Sequence, residues 1–156
     1  MKIIDIINGE KPSLSFEVFP PKTSDKFNSV EKPALEIANL KPSFMSVTYG
    51  AGGGTSDYTA EIASRILKRG VTPLAHLSCI SSTREMVREQ LTLLKSKGIE
   101  NILALRGDIL PDTDLSKSDY RYASDLTKEI ADFGGFCIGG ACYPEVHPES
   151  AHQKED

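Results

Sequence analysis

A carboxylate among apolar residues is the first chemical signal in this chain. Glu17 lies in the run Ser13 to Phe19, directly before Pro20-Pro21. An acid on such a segment is costly unless it is solvated, paired or protonated, and a carboxyl group kept neutral there could serve as a general acid. An ion pair with a lysine or arginine is the competing structural explanation. Other polar residues end or follow extended runs: Thr48 beside Met45 and Val47, His76 within Thr72 to Leu77, Arg106-Gly107-Asp108 after Asn101 to Leu105, and Tyr143 with His147 close behind. Asp108 opens a segment, Ile109 to Arg121, that is rich in Asp, Ser and Pro and longer than an ordinary strand-to-helix connection. Long loops on rigid scaffolds tend to carry function, although a solvated turn would account for Arg106 and Asp108 equally well. A metal site can be drawn from His76, Asp108, Cys142 and His147, but no H-x-x-x-H or C-x-x-C spacing supports it, so no metal is expected.

These residues need a scaffold that gathers their segments. Ser13 to Phe19, Ser43 to Tyr49, Thr72 to Leu77, Asn101 to Leu105 and Phe136 to Tyr143 read as strands, with starts roughly 30 residues apart, the length of a strand-helix-strand unit. The clearest intervening helix runs from Thr83 to Lys97. It has Ser82-Thr83-Arg84-Glu85 as a capping box, Val87, Leu91 and Leu94 on one face, and Gly98 as its stop. Another carries Ile62, Ala63, Ile66 and Leu67 and ends at Lys68-Arg69-Gly70, and a later one carries Leu126, Ile130 and Phe133 before Gly134-Gly135. The stretch Asp25 to Asn39 is also helical in pattern, but Pro33 should break or restart it.

Strand parity chooses between the two architectures that such alternation allows. Leu14, Phe16 and Val18 oppose Ser15 and Glu17, and Met45 and Val47 oppose Ser46 and Thr48. One apolar and one partly polar face suit a (β/α) barrel, whose strands show the helices one side and the lumen the other. A doubly wound strand is usually apolar on both faces. Ala51-Gly52-Gly53-Gly54 also lacks the G-x-G-x-x-G spacing of a dinucleotide fold. The expected fold is therefore α/β, of the eight-stranded (β/α)8 TIM-barrel type. On this count Glu17, Thr48, His76, Asp108 and Tyr143 fall on one rim. Only about four and a half strand-helix units are present, so a truncated barrel with an uncovered strand edge is expected.

Composition narrows the partners. The 156 residues are 39% apolar and 26% charged, enough for one domain with a core. The 18 basic and 22 acidic residues give a net charge of −4, and no Lys/Arg-rich run could track a phosphate backbone, so nucleic acid is not an expected partner. No apolar run approaches the about 18 residues of a membrane span. Met1-Lys2-Ile3-Ile4-Asp5 does not read as a signal peptide, and the odd number of cysteines (Cys79, Cys137, Cys142) argues against a disulfide framework. A cytoplasmic protein is expected.

Four segments carry a family resemblance: Ser15-Phe16-Glu17-Val18-Phe19-Pro20-Pro21-Lys22, Ser46-Val47-Thr48-Tyr49-Gly50-Ala51, Leu103-Ala104-Leu105-Arg106-Gly107-Asp108 and Tyr143-Pro144-Glu145-Val146-His147-Pro148. Together, in this order, they resemble the methylenetetrahydrofolate reductases. The resemblance implies that residues 1–156 form the first part of one FAD-dependent reductase barrel. Such a barrel converts 5,10-methylenetetrahydrofolate to 5-methyltetrahydrofolate in one-carbon metabolism and methionine biosynthesis, with NADH or NADPH as donor. Glu17 matches the family's general acid, which protonates the folate nitrogen as the ring opens. Asp108 matches the aspartate that orients folate and tunes the flavin. Tyr49, Ala51, His76, Arg106, Gly107, Ala123, Tyr143, His147, Ser150 and Asp156 match flavin-contacting positions, and Thr48 one close to the nicotinamide. The resemblance further implies a homo-oligomer of the full-length protein and leaves room for an electron-delivering subunit. The 156 residues alone are expected to bind FAD weakly or not at all and to be inactive. Two other readings stand beside this one: a pterin-binding barrel methyltransferase, which would need neither flavin nor an acid like Glu17, and a catalytically dead fragment that binds a partner through its open edge.

Overall fold

The alternation of residue types along each strand becomes the two faces of one sheet. The computed structural model describes residues 1–21, 23–49, 56–109, 116, 118–147 and 150. Five strands, β1 (Ser15–Val18), β2 (Phe44–Val47), β3 (Thr72–Ser78), β4 (Asn101–Leu105) and β5 (Cys137–Gly140), lie side by side in chain order. Every neighbouring pair is parallel. Helices α2 (Phe27–Asn39), α3 (Ser56–Lys68), α4 (Arg84–Ser96) and α5 (Ala123–Phe133) fill the four crossovers, and a short helix, α1 (Ile3–Ile7), precedes β1. An order that never doubles back is how successive right-handed crossovers lay down a barrel wall. A doubly wound sheet reverses at a switch point instead. The chain is thus an α/β arc, a partial (β/α) barrel.

Burial follows the parity expected from the sequence. Val18, Met45, Val47, Ala75, Leu77, Ile102 and Ala104 enter one buried cluster with Ala34 and Ala38 of α2, Ile62 and Ile66 of α3, Val87 and Leu91 of α4, and Leu126 and Ile130 of α5. Each large aliphatic side chain removed from water there contributes about 1.5–3 kcal/mol. The opposite parity, with Glu17, Ser46, Leu74, His76, Leu103 and Leu105, forms the lumen side. Leu74, Leu103 and Leu105 on that side are only partly buried.

Several boundaries differ from the sequence expectation, each for a local reason. Pro33 lies inside α2 and does not divide it. The helix is led in by a 3-10 turn at Ser24–Lys26, and its second half is held by buried Ala34 and Ala38 in the packing against α3, which offsets the lost backbone hydrogen bond. The cap of α4 is Thr83, whose hydroxyl accepts from the backbone N–H of Met86 at 3.3 Å. The Ser82/Glu85 box expected there is not formed, because the Ser82 N–H is taken by the Cys79 carbonyl at 2.9 Å and its hydroxyl turns to the Ser78 carbonyl at 3.5 Å; the Arg84 N–H is met by the Asp119 carboxylate at 2.9 Å. β5 ends at Gly140, so Cys142 and Tyr143 lie beyond the sheet and not on its last strand.

Helix α1 was not expected from the sequence. It is tied to the amino-terminal end of the sheet by Asn101, which is 1% exposed. The Asn101 Oδ1 accepts from the Ile3 N–H at 2.8 Å, while its amide nitrogen donates to the carbonyls of Met1 and Pro73 at 3.1 and 3.2 Å. The amino group of Met1 pairs with the Glu100 carboxylate at 2.7 Å.

Candidate active site

Glu17 is the centre from which the site is built. Parallel pairing sets it opposite Ser46 on β2, and His76 stands on the next strand, β3. Neighbouring strands are about 4.8 Å apart, so side chains on β1 and β3 meet only if they are long and the residue between them is small. Ser46 provides the small residue. Its hydroxyl donates to Glu17 Oε2 at 2.9 Å, and His76 Nε2 lies 3.4 Å from the same oxygen. The sequence left open a lysine or arginine partner for Glu17. The structure places a serine hydroxyl and a histidine there instead.

The three side chains differ in their access to water. Ser46 is 8% and His76 7% exposed, whereas the Glu17 side chain retains 47% exposure on the open lumen. Burial holds His76 below the usual histidine range, outweighing the opposite pull of the Glu17 charge. The imidazole is therefore neutral near pH 7. The contact with Glu17 is close in distance but lacks the geometry of a hydrogen bond, and His76 Nε2 is one of two buried polar side-chain atoms without a hydrogen-bond partner among the described residues. Such an atom needs an explanation; here it lies on the lumen side beside the acid.

The other rim residues are positioned by backbone contacts. The N–H of Thr48 donates to the Val18 carbonyl at 2.9 Å, extending the β1/β2 ladder, and Thr59 of α3 donates through its hydroxyl to the Thr48 carbonyl at 2.9 Å. Tyr49 packs against the core from the same turn. The Arg106 carbonyl accepts from the N–H groups of Cys79 and Ile80 at 3.2 and 2.8 Å, which locks the loop after β4 onto the loop after β3. Gly107 adopts φ +86° where a Cβ would come within 3.1 Å of Ser78, so only glycine fits this approach. Asp108, one residue further on, is exposed. Ala123 opens α5, whose first turn is fixed by Asp125 accepting from the N–H groups of Arg121 and Tyr122 at 2.9 Å each.

Beyond β5 the Tyr143 and His147 rings meet edge to face at 4.7 Å, and the Ser150 N–H donates to the His147 carbonyl at 2.9 Å. Between them Val146 adopts φ +84°, a region costly for a β-branched residue. Ala51, Asp156 and the Gly52-Gly53-Gly54 run fall outside the described residues, as do 110–115 and 117 of the long loop. The described end of that loop is anchored. The Ser118 hydroxyl lies within hydrogen-bonding distance of the carbonyls of Cys79, Ser82 and Tyr120, at 3.2, 3.5 and 2.9 Å.

Other chemistries find less support. Among the described residues no three His, Cys, Asp or Glu side chains could hold a metal ion. Cys79, Cys137 and Cys142 are free thiols, and burial pushes Cys79 up to about 11, which leaves it protonated and a poor nucleophile. A shallow hollow on α4, lined by residues including Arg84, Arg88 and Leu93, contains none of the lumen side chains. No helix among the described residues is long and apolar enough to cross a membrane.

Fold and site together define, among the described residues, five strands of a partial (β/α) barrel with a carboxylate, a hydroxyl and a neutral imidazole converging on its lumen. A family model described as methylenetetrahydrofolate reductase matches residues 2–156, and the chain belongs to that family. It is 43% identical over 145 residues to the 5,10-methylenetetrahydrofolate reductase of Pectobacterium carotovorum subsp. carotovorum, a match that covers 92% of this chain and 48% of the relative. It is 41% identical over 148 residues to the enzyme of the same name from Escherichia coli strain K12, with the same coverage. A third relative, named methylenetetrahydrofolate reductase (NADH) 1, from Arabidopsis thaliana, is 35% identical over 161 residues, covering 96% of this chain and 27% of its own length. The chain spans about half the length of the bacterial relatives it matches. The family match sets aside the pterin-binding methyltransferase.

Proposed function

We propose that residues 1–156 form the first part of a single cytoplasmic flavoprotein barrel that reduces 5,10-methylenetetrahydrofolate to 5-methyltetrahydrofolate with electrons from a reduced nicotinamide. The observation that carries this reading is the lumen position of Glu17, half exposed toward the space a substrate would enter and braced by Ser46 beside a neutral His76. Glu17 acts as the general acid, delivering a proton to the folate nitrogen that leaves as the one-carbon bridge opens. Asp108 stands on the exposed rim, where a fixed negative charge favours the cationic one-carbon unit and orients the folate.

The residues present suit a flavin. His76 Nε2 is a buried atom in need of a partner, and Gly107 lets the rim backbone approach closely without a side chain in the way. His76, Thr48, Tyr49, Arg106, Gly107, Tyr143, His147 and Ser150 would hold FAD along the rim, with Ala123 at the start of α5, and Ala51 and Asp156 would join them. Bound FAD would supply the two-electron chemistry that no amino-acid side chain provides. The name of the Arabidopsis relative specifies NADH, which makes NADH the donor to try first.

Glu17→Gln is the decisive variant. In a flavin-loaded chain of the relatives' full length it is expected to lower folate reduction at least about a hundredfold, the usual contribution of a positioned acid, while NADH still bleaches the flavin at the wild-type rate. Undiminished folate reduction would remove Glu17 from the chemistry.

A further inference from the structure

We propose that Ser46 is a positioning residue for Glu17: its hydroxyl fixes Oε2 and thereby aims the other carboxyl oxygen into the lumen. The inference rests on the reading of Glu17 as the acid. Three observations support it. Ser46 pairs with Glu17 in the strand register, is 8% exposed, and donates a 2.9 Å hydrogen bond to Oε2. His76, on the strand beyond Ser46, lies 3.4 Å from the same oxygen. Oε1 has no hydrogen-bond partner among the described residues, so one oxygen of the carboxyl group is engaged and the other is offered.

A hydroxyl suits this position in both protonation states. It donates to the carboxylate, and after a half-turn of its rotor it accepts from the protonated acid. A methyl group could do neither. A side chain much larger than threonine would fill the gap across which Glu17 and His76 meet. Without the hydroxyl, Glu17 would swing among rotamers over an open lumen, and productive proton delivery requires the donor within about 3.2 Å of the nitrogen.

The test compares Ser46→Ala, Ser46→Thr and Glu17→Gln in a flavin-loaded chain of the relatives' full length, measuring folate reduction and NADH-driven flavin reduction separately. Ser46→Ala is expected to lower kcat for folate reduction on the order of tenfold, a part of the acid's own contribution, with KM for folate and the flavin-reduction rate unchanged. Ser46→Thr, which keeps the hydroxyl, is expected to recover most of the loss. Equal losses in both half-reactions, or no rescue by threonine, would make Ser46 a sheet-packing residue and overturn the proposal. Wild-type folate reduction by Ser46→Ala would overturn it as well. Should Ser46→Ala not fold, Ser46→Cys, close in volume with a weaker donor, is read by the same criteria. Retention of folate reduction by Glu17→Gln would instead locate the failure in the reading of Glu17.

Discussion

His76 has a measurable thermodynamic signature. In the unfolded chain a histidine takes up its proton near 6.5, but in the folded protein burial keeps His76 neutral to lower pH despite the nearby Glu17 charge. The stabilisation tied to the neutral imidazole is therefore complete above 6.5. It is lost as pH falls through 6.5 toward the depressed folded value, because the unfolded state binds the extra proton first. His76→Gln is expected to flatten that part of the Tm profile, on the acid side of 6.5. Parallel profiles for the two proteins would mean that His76 titrates alike in both states. The same residue shows what a sequence can reveal about a site. Glu17 was legible because a carboxylate is out of place on an apolar strand. Ser46 was not, because a serine on the polar parity of a strand is ordinary until the register sets it opposite an acid. The Glu17 to His76 contact spans two strand spacings and follows only from three-dimensional geometry.

Among the helices, the outer face is knitted by charge. Glu61 of α3 receives Lys97 from just past α4 at 2.9 Å and Arg65 at 2.8 Å, and Arg65 also pairs with Glu31 of α2. Hydrogen bonds from Lys97 and then Arg65 lower Glu61 from 4.5 to about 2. A carboxylate with a depressed folded value contributes stability above its ordinary 4.5 and loses it as pH falls from there toward about 2. The group is about a third exposed, so solvent screening reduces the contribution. Replacing Glu61 with Gln should lower Tm at pH 7 and leave it unchanged near pH 2, as thermal melts at the two pH values would register. Equal Tm values at pH 7 would show the network to be decorative. Elements with repeated signals, such as Thr83 to Lys97 with its cap, apolar stripe and glycine stop, were read from sequence to within a residue or two. Helix α1 escaped because five residues are too few to establish a period, and α2 was underrated because a single proline weighs more in isolation than in a packed helix.

Across the whole molecule, the five strands of the described residues form an unclosed wall. β1 and β5 stand at the two edges of the described sheet, and Leu14 and Phe19, 61% and 67% exposed, flank β1. The rim residues lie along an arc, so a flavin would be held from one side only. After incubation with FAD and gel filtration, the 156-residue chain is expected to emerge without the absorbance near about 450 nm of oxidised flavin, while a chain of the relatives' full length should retain it. A yellow, stoichiometric 156-residue protein would mean that this arc already makes the cofactor site and would require the role of the remaining length to be rethought.

Asn101 also sets an order of events during synthesis. Residues 1 and 3 hydrogen-bond to a side chain about a hundred positions later in the chain. At translation rates of about 5–20 residues per second, the partner of α1 emerges roughly 5–20 s after α1 itself. Until then the first helix, too short to hold together alone, lacks the side chain that anchors it. The amino terminus is made first and secured late, and a nascent chain arrested before Asn101 should show it open to proteolysis.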